Sequence, residues 1–315
     1  MNRIGILGYN ACINELREFL SHMEGVSISG CFTGYPLDDA ILKADGYNLF
    51  ESLNSMLEAS DSVICIHEDS QVLNAIEKVI KYRKHLYIHS LFDYQPGHLQ
   101  HLVSLADEAA IISQVNVDLL FNNVARKLGD FISQPQMVEL NLGGYVLHEK
   151  EKLIRNPELI SICILIQKIV NQSIRRLNVQ RITVAENNSE ALDLRFEFHN
   201  DCVANVMLDG VDDIHRRTLK VFQKQSYIVG NLAEDNLVLH QHKETTRIRV
   251  SGDTSIKAII ENIPVEKEVF PALTEFVNAV KYQSSISSGL EVIYHNQKIS
   301  NQILEKLHMQ EILAQ

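Results

Sequence analysis

Two histidines stand at the ends of predicted buried strands, where their side chains could transfer protons. His67 follows the apolar run SVICI, and His89 ends the run HLYIH with Ser90 directly after it. Imidazole titrates near neutral pH and is suited to general acid–base catalysis. His89 and His67 are therefore candidate catalytic residues, and His67 and Ser90 are candidate cofactor contacts. A polar strand end that hydrogen bonds to the next loop is the alternative interpretation, and it stays open.

The turn after the first predicted strand reads GYNACI, and it resembles a dinucleotide-binding turn with two glycines missing. The pattern G-x-G-x-x-G lets the backbone turn tightly, approach a pyrophosphate and pack the helix on the sheet. Only Gly8 is present, while Asn10 and Ile13 place side chains where glycines are expected. Amides at the helix start still attract anions, which makes Gly8, Tyr9, Asn10 and Ala11 candidate cofactor contacts. An ordinary strand-to-helix connection fits the turn equally well.

The end of the second predicted strand lacks the acidic residue that would hydrogen bond the adenosine ribose. Thr33 occupies that position in the stretch GCFTGYP and is a further candidate cofactor contact. Asp38 and Asp39 follow, and we interpret them as the solvated start of a helix.

Strands and helices alternate through residues 1–120, a pattern that predicts a doubly wound, Rossmann-like parallel sheet with right-handed crossovers. The predicted strands are Arg3–Gly8, Val26–Phe32, Ser62–Ile66, His85–His89 and Ala110–Val117. The predicted helices are Ile13–Met23, Leu49–Ala59, Gln71–Tyr82 and Gln95–Ala109.

Residues 121–315 change pattern and predict a second, α+β domain with a mainly antiparallel sheet. A helix over Pro157–Asn171 precedes the strands. The predicted strands are Arg176–Ala185, Ala191–His199, Cys202–Leu208, Thr218–Val229 and Asn236–His242. Two closing helices, Val269–Tyr282 and Gly289–Leu307, have one apolar face each and are candidates to pack back on the first domain.

Composition excludes several classes of function. The net charge of -11 has the wrong sign for binding a phosphate backbone, so no nucleic acid partner is expected. No apolar stretch is long enough to span a bilayer and no targeting segment is evident, so a cytoplasmic protein without a membrane partner is expected. The five cysteines stand singly, and most of them are expected to be small core residues. Histidine pairs such as His98 and His101 lack a third ligand nearby, so no metal site is expected.

Further along the chain, the motifs resemble those of the Gfo/Idh/MocA family of two-domain oxidoreductases, over nearly the whole length. Lys84 and His85 match the start of the family motif KH-x-x-x-EKP, whereas His89 and Ser90 replace its Glu and catalytic Lys. His67 and Glu68 stand where the family has Thr and Pro. Phe121 and Asn122 match the family's segment R-F-N-P, and Leu120 replaces its arginine. The strands EFHNDCVANVML and RRTLKVFQKQSYIVGN are similar to those of bacterial members proposed to act on sugar nucleotides.

The resemblance also implies an aspartate and a histidine on the helix after the domain crossover. Those positions fall near Ser161, Leu165 and Ile166, and the stretch LISICILIQKIV contains no Asp, Glu or His. Departures at the phosphate turn, the ribose position, the lysine and this helix together indicate a degenerate active site.

Three functions remain open. The first is a family member that has lost hydride transfer and binds a sugar-like ligand or a protein partner, in sugar-nucleotide or cell-envelope metabolism. The second is an active NAD- or NADP-dependent sugar oxidoreductase that uses His89 or His67. The third is a structural subunit of an active homologue. Since family members commonly form dimers or tetramers, the resemblance implies a homo-oligomer or a hetero-oligomer with such a homologue.

Overall fold

A computed structural model describes residues 1–67, 72–144, 156–183, 190–209, 217–242 and 258–314. The chain divides into two units, each considered on its own below. The first comprises Met1–Val117 with Val269–Lys298, and the second comprises Asp118–Glu268 with Ile299–Gln315. Among the described residues no helix is both long and apolar enough to cross a membrane.

A five-stranded parallel sheet forms the centre of the first unit, as the alternating pattern predicted. Its strands are β1 (Asn2–Leu7), β2 (Val26–Phe32), β3 (Ser62–Cys65), β4 (His85–Ile88) and β5 (Ser113–Val115). They lie in the order β2-β1-β3-β4-β5. The strand order therefore reverses between β1 and β3, and ligands of doubly wound sheets bind beyond the carboxyl ends of the strands at such a point.

Helices connect these strands. They are α1 (Ile13–Ser21), α2 (Pro36–Ala44), α3 (Leu53–Ala59), α4 (Leu73–Lys81) and α5 (Pro96–Ala109). Helix α1 buries Ile13, Leu16 and Leu20, which recur at helical spacing and were read as such from the sequence. The start of α2 was predicted at Asp38 and Asp39, but its extent was not, because Leu42 is its only buried residue and one apolar contact produces no periodic pattern.

The second unit is built on an eight-stranded sheet in the order β13-β12-β11-β10-β6-β9-β8-β7. Its helices are α6 (Asp118–Phe121), α7 (Asn123–Gly129) and α8 (Asn156–Val170). Its strands are β6 (Pro135–Leu142), β7 (Ile174–Thr183), β8 (Glu190–Phe198), β9 (Val203–Asp209), β10 (Arg217–Gln223), β11 (Ser226–Asn231), β12 (Asn236–His242) and β13 (Ala258–Ile263). Every described pair is antiparallel except β6 with β9, in agreement with the prediction.

One predicted strand was wrong in extent. The segment Thr218–Val229 is two antiparallel strands, β10 and β11, and Phe222 pairs with Tyr227 beside the turn. The turn residues Lys224 and Gln225 are neither glycine, proline nor asparagine, so the sequence carried no turn signal there.

The last two helices are α9 (Pro271–Tyr282) and α10 (Leu290–Ala314). Helix α9 lies in the first unit, where Gln114 of β5 donates hydrogen bonds to the Ala272 carbonyl at 3.0 Å and to Glu275 at 2.7 Å. Phe276 of α9 packs its ring 5.7 Å from that of Tyr87 in β4. Helix α10 begins in the first unit and ends in the second.

Candidate functional site

Gly8 lies where the strand order reverses, and two constraints require glycine there. Its φ of +98° is rarely adopted by residues with a side chain. A Cβ at this position would lie 2.7 Å from the Cβ of His67 and 2.9 Å from the His67 backbone nitrogen. The chain leaving β3 thus passes directly against the chain leaving β1, and the candidate residues Gly8 and His67 are neighbours in space.

Asn10 folds its side chain back into the turn. Its Oδ1 accepts hydrogen bonds from the Cys12 backbone amide at 3.0 Å and from the Cys12 thiol at 2.8 Å. The Asn10 carbonyl accepts a further bond from the Ile13 amide at 3.3 Å. Tyr9 is half-buried and Ala11 is exposed in the same turn. Two amides at the start of α1, which would face a pyrophosphate in a glycine-rich turn, are therefore bonded within the protein.

Thr33 at the end of β2 is buried and bonded internally. Its hydroxyl lies 2.6 Å from the Asp39 carboxylate and 3.0 Å from the Tyr35 carbonyl, and it accepts a bond from the Tyr35 amide at 2.9 Å. Asp39 thus lies beside Thr33 at the end of β2. It belongs to the first turn of α2, as predicted, but its carboxylate bonds to Thr33 and is only half-exposed.

His67 is half-buried at the exit of β3. Its ring meets that of Tyr35 edge-on, with centroids 5.2 Å apart and an interplanar angle of 80°. Its Nε2 atom is buried and has no hydrogen-bond partner within the part of the chain that the structure describes. Glu68, the next residue of the sequence motif, lies outside the described residues.

His89 directly follows β4, and its backbone amide donates to the Cys65 carbonyl of β3 at 2.8 Å. Its ring lies 6.4 Å from that of Tyr87 and 6.3 Å from that of Phe270. Its Nε2 is 3.6 Å from the Cys12 sulfur. The half-buried Ser90 follows. The structure thus brings together His89 and Cys12, a contact that no sequence pattern indicated.

The remaining four cysteines are buried, and burial disfavours their thiolate forms. Burial raises the pKa of Cys31, Cys65 and Cys163 to about 12 and that of Cys202 to about 11. Cys12 alone is partly exposed. The prediction of single core cysteines therefore describes four of the five thiols.

The positions expected to carry an acid and a base in the second unit lie on α8. Leu165 and Ile166 are 2% and 1% exposed within the hydrophobic core, and Ser161 is half-buried beside them. No proton-transfer group is present there. Across the described ranges no cluster of three or more His, Cys, Asp or Glu side chains is arranged to hold a metal ion.

Comparisons with known proteins address the fold. No family model and no curated protein sequence matches the chain. A UDP-N-acetylglucosamine 3-dehydrogenase from Acidithiobacillus ferrooxidans has a similar structure, with a TM-score of 0.80, 14% identity and 96% of each chain covered. A dehydrogenase from Chromobacterium violaceum has a TM-score of 0.80 at 12% identity, with 100% of this chain and 98% of that one covered.

Biliverdin reductase from Synechocystis sp. PCC 6803, solved with biliverdin and NADP+, also has a similar structure, with a TM-score of 0.69 at 13% identity. The match covers 96% of this chain and 98% of the reductase. These structural neighbours are NAD(P)-binding oxidoreductases of the Gfo/Idh/MocA type. The fold that the sequence motifs implied is therefore confirmed.

Proposed function

We propose that this chain, which has the fold of Gfo/Idh/MocA-type oxidoreductases, has given up the family's hydride transfer and acts as a binding protein. Its ligand, on this proposal, is a sugar nucleotide or a related sugar. The proposed loss of hydride transfer and the proposed binding of a sugar nucleotide rest on different observations.

The hydrogen bonds in the turn around Asn10 support the proposed loss of dinucleotide binding and hydride transfer. A dinucleotide needs backbone amides at the start of the first helix, and here the Asn10 carboxamide already accepts the Cys12 amide at 3.0 Å. A pyrophosphate entering this turn has to displace that bond and find room beside the Asn10 side chain. The carboxylate of Glu15 in the first turn of α1 adds a repulsive charge. We therefore expect weak binding of NAD and NADP at best.

The groups around the expected reaction centre support the same conclusion. The catalytic ammonium of the family is absent, and Ser90 occupies its place. On α8, the buried Leu165 and Ile166 offer no acid or base. Proton transfer from a substrate hydroxyl requires such a group within hydrogen-bond reach.

The proposed ligand class rests on structural likeness. One neighbour, by its name, is a dehydrogenase of UDP-N-acetylglucosamine, and it aligns over 96% of this chain. If the chain retains binding without hydride transfer, UDP-N-acetylglucosamine is the appropriate first ligand to test. The nature of the sugar is part of the proposal.

Calorimetric titration of the full chain with NADH and NADPH tests the loss. Calorimetry is suitable because the protein has no tryptophan for fluorescence energy transfer. We expect no measurable heat for the wild type at millimolar cofactor. In Asn10→Gly the Cys12 amide is released, and the gain of one hydrogen bond, about 1 kcal/mol or about fivefold in affinity, should produce a measurable binding heat at millimolar cofactor.

A micromolar dissociation constant for NADH or NADPH in the wild type would overturn this proposal and favour the rival, an active NAD(P)-dependent sugar oxidoreductase. His89→Ala and His67→Ala would then be assayed for dehydrogenation of candidate sugars. Thermal unfolding with UDP-N-acetylglucosamine tests the retained binding separately, since a ligand that binds the folded state raises Tm. If neither cofactor nor sugar nucleotide raises Tm, copurification of an active homologue becomes the decisive test of the structural-subunit alternative.

A further inference from the structure

We propose that Cys12 and His89 form a thiol–imidazole pair at which the thiol adds covalently to a small carbon electrophile, such as an alkene conjugated with a carbonyl. The two residues come from distant parts of the chain. Cys12 directly precedes α1, and His89 directly follows β4. The Cys12 sulfur lies 3.6 Å from His89 Nε2. At this distance the imidazole can act as the base for the thiol nucleophile.

The five thiols of the chain differ in their exposure. Cys31, Cys65, Cys163 and Cys202 are at most 1% exposed, and burial raises their pKa to about 11 or 12. Their surroundings keep them protonated and closed to reagents. Cys12 is partly exposed, and its sulfur lies 3.6 Å from the His89 imidazole nitrogen Nε2. Reactivity is thereby directed to a single position.

Two side chains lie next to the Cys12 sulfur and can accept its proton. Asn10 Oδ1 lies 2.8 Å from it and accepts the thiol hydrogen in the resting protein. His89 Nε2 lies 3.6 Å from the same sulfur, and in the tautomer that carries its hydrogen on Nδ1 this nitrogen can take the proton as the sulfur reacts. The Tyr87 and Phe270 rings pack near the imidazole, with centroids 6.4 and 6.3 Å from it. The base is therefore held beside the nucleophile.

The reaction balances with these groups alone. The sulfur forms a bond to the alkene carbon remote from the carbonyl, and its proton passes to His89 Nε2. The electron pair of the alkene moves towards the carbonyl, and the alkene carbon next to that carbonyl then takes the proton back. One C–S bond and one C–H bond form, the S–H bond and the alkene π bond are lost, and no oxidant, reductant or leaving group is needed.

N-ethylmaleimide, an alkene conjugated with two carbonyls, is the probe. The intact chain is labelled at neutral pH for increasing times, quenched and digested, and each cysteine peptide is quantified by mass spectrometry. We expect Cys12 to be labelled first and the four buried cysteines only after denaturation. In His89→Gln we expect labelling of Cys12 to slow by about tenfold or more, because positioned bases typically contribute at least that much.

His22→Gln is the matched control, since His22 is exposed at the opposite end of α1 and its loss should leave the rate unchanged. Equal rates in His89→Gln and the wild type, or a buried cysteine labelled before Cys12, would overturn the pair. Should His89→Gln fail to fold, the wild-type rate decides: Cys12 must react faster than the thiol of free glutathione, and an equal or slower rate rejects the proposal. Neither readout depends on whether a dinucleotide binds.

Discussion

At the scale of single residues, the turn after β1 shows how one position serves two demands. Gly8 combines a φ of +98° with a close approach of the His67 backbone, so a side chain there meets both strain and collision. Other glycines separate these effects. Gly25 has a φ of +80° but open space around its Cβ position, and Gly97, at the start of α5, has open space and no positive φ. A graded series of substitutions therefore tests both effects.

We predict that Gly8→Ala lowers the free energy of unfolding by about 2 kcal/mol or more, since backbone strain and overpacking add. Gly25→Ala should cost about 1 kcal/mol through strain alone. Gly97→Ala should change stability by no more than about 0.5 kcal/mol in either direction. Urea unfolding of the three variants measures the order. A loss in Gly8→Ala no larger than that in Gly25→Ala would mean that the chain beside His67 moves aside freely.

His85 provides a prediction about pH. Burial lowers its pKa below the ordinary value of 6.5, while its Nδ1 accepts a hydrogen bond from the Ile112 amide at 3.1 Å. The folded state thus binds this proton less readily than the unfolded state. The stabilisation is fully present above pH 6.5 and is lost as pH falls from 6.5 towards the folded pKa.

The variant His85→Asn keeps an acceptor near the position of Nδ1 and cannot titrate. We expect its free energy of unfolding to fall less steeply than that of the wild type as the pH is lowered below 6.5. Urea unfolding at a series of pH values measures both slopes. Parallel curves would show that His85 has the same proton affinity in both states.

At the scale of elements, α8 shows why an acid or a base cannot be introduced at Leu165 or Ile166 by a simple substitution. Nine of the residues of this helix are buried, and they include Leu165 and Ile166. The helix is a structural part of the second core, in contact with residues of the large sheet. A charged group at these positions has to be desolvated without a partner among the surrounding apolar side chains.

Leu165→Asp should therefore cost about 3 kcal/mol or more and should not create activity. Lys168→Asp on the same helix is the control, because Lys168 is exposed and its reversal of charge should cost less than about 1 kcal/mol. Thermal unfolding of both variants is the measurement. A Leu165→Asp protein as stable as Lys168→Asp would indicate that this face of α8 is open to water.

At the scale of the whole molecule, the chain combines a fold shared with NAD(P)-binding oxidoreductases and polar side chains that bond within the protein. The strand order β2-β1-β3-β4-β5 retains the switch point where a ligand is expected. Around it, Asn10 and Thr33 direct their polar atoms to bonds within the protein. Topology depends on many apolar contacts and tolerates such changes, whereas hydride transfer depends on a few groups in fixed positions.

The sequence by itself determined the class of each sheet and most of its elements, because hydrophobic periodicity and strand spacing are local properties. It identified β1 to β5 and the apolar α8, and its motifs implied the two-domain oxidoreductase fold. It indicated the start of α2 but not its extent, because a single buried residue produces no pattern. It did not indicate the turn between β10 and β11, because the residues there are not typical turn residues.

Only the tertiary structure decided which side chains meet. The contact of Cys12 with His89 joins residues 77 positions apart, and the approach of His67 to Gly8 depends on the pairing of β1 with β3. The hydrogen bond between Thr33 and Asp39 depends on the direction of α2, which the hydrophobic periodicity of the sequence did not indicate. Such contacts arise from the packing of distant segments, and a linear pattern records the residues without recording the distances between them.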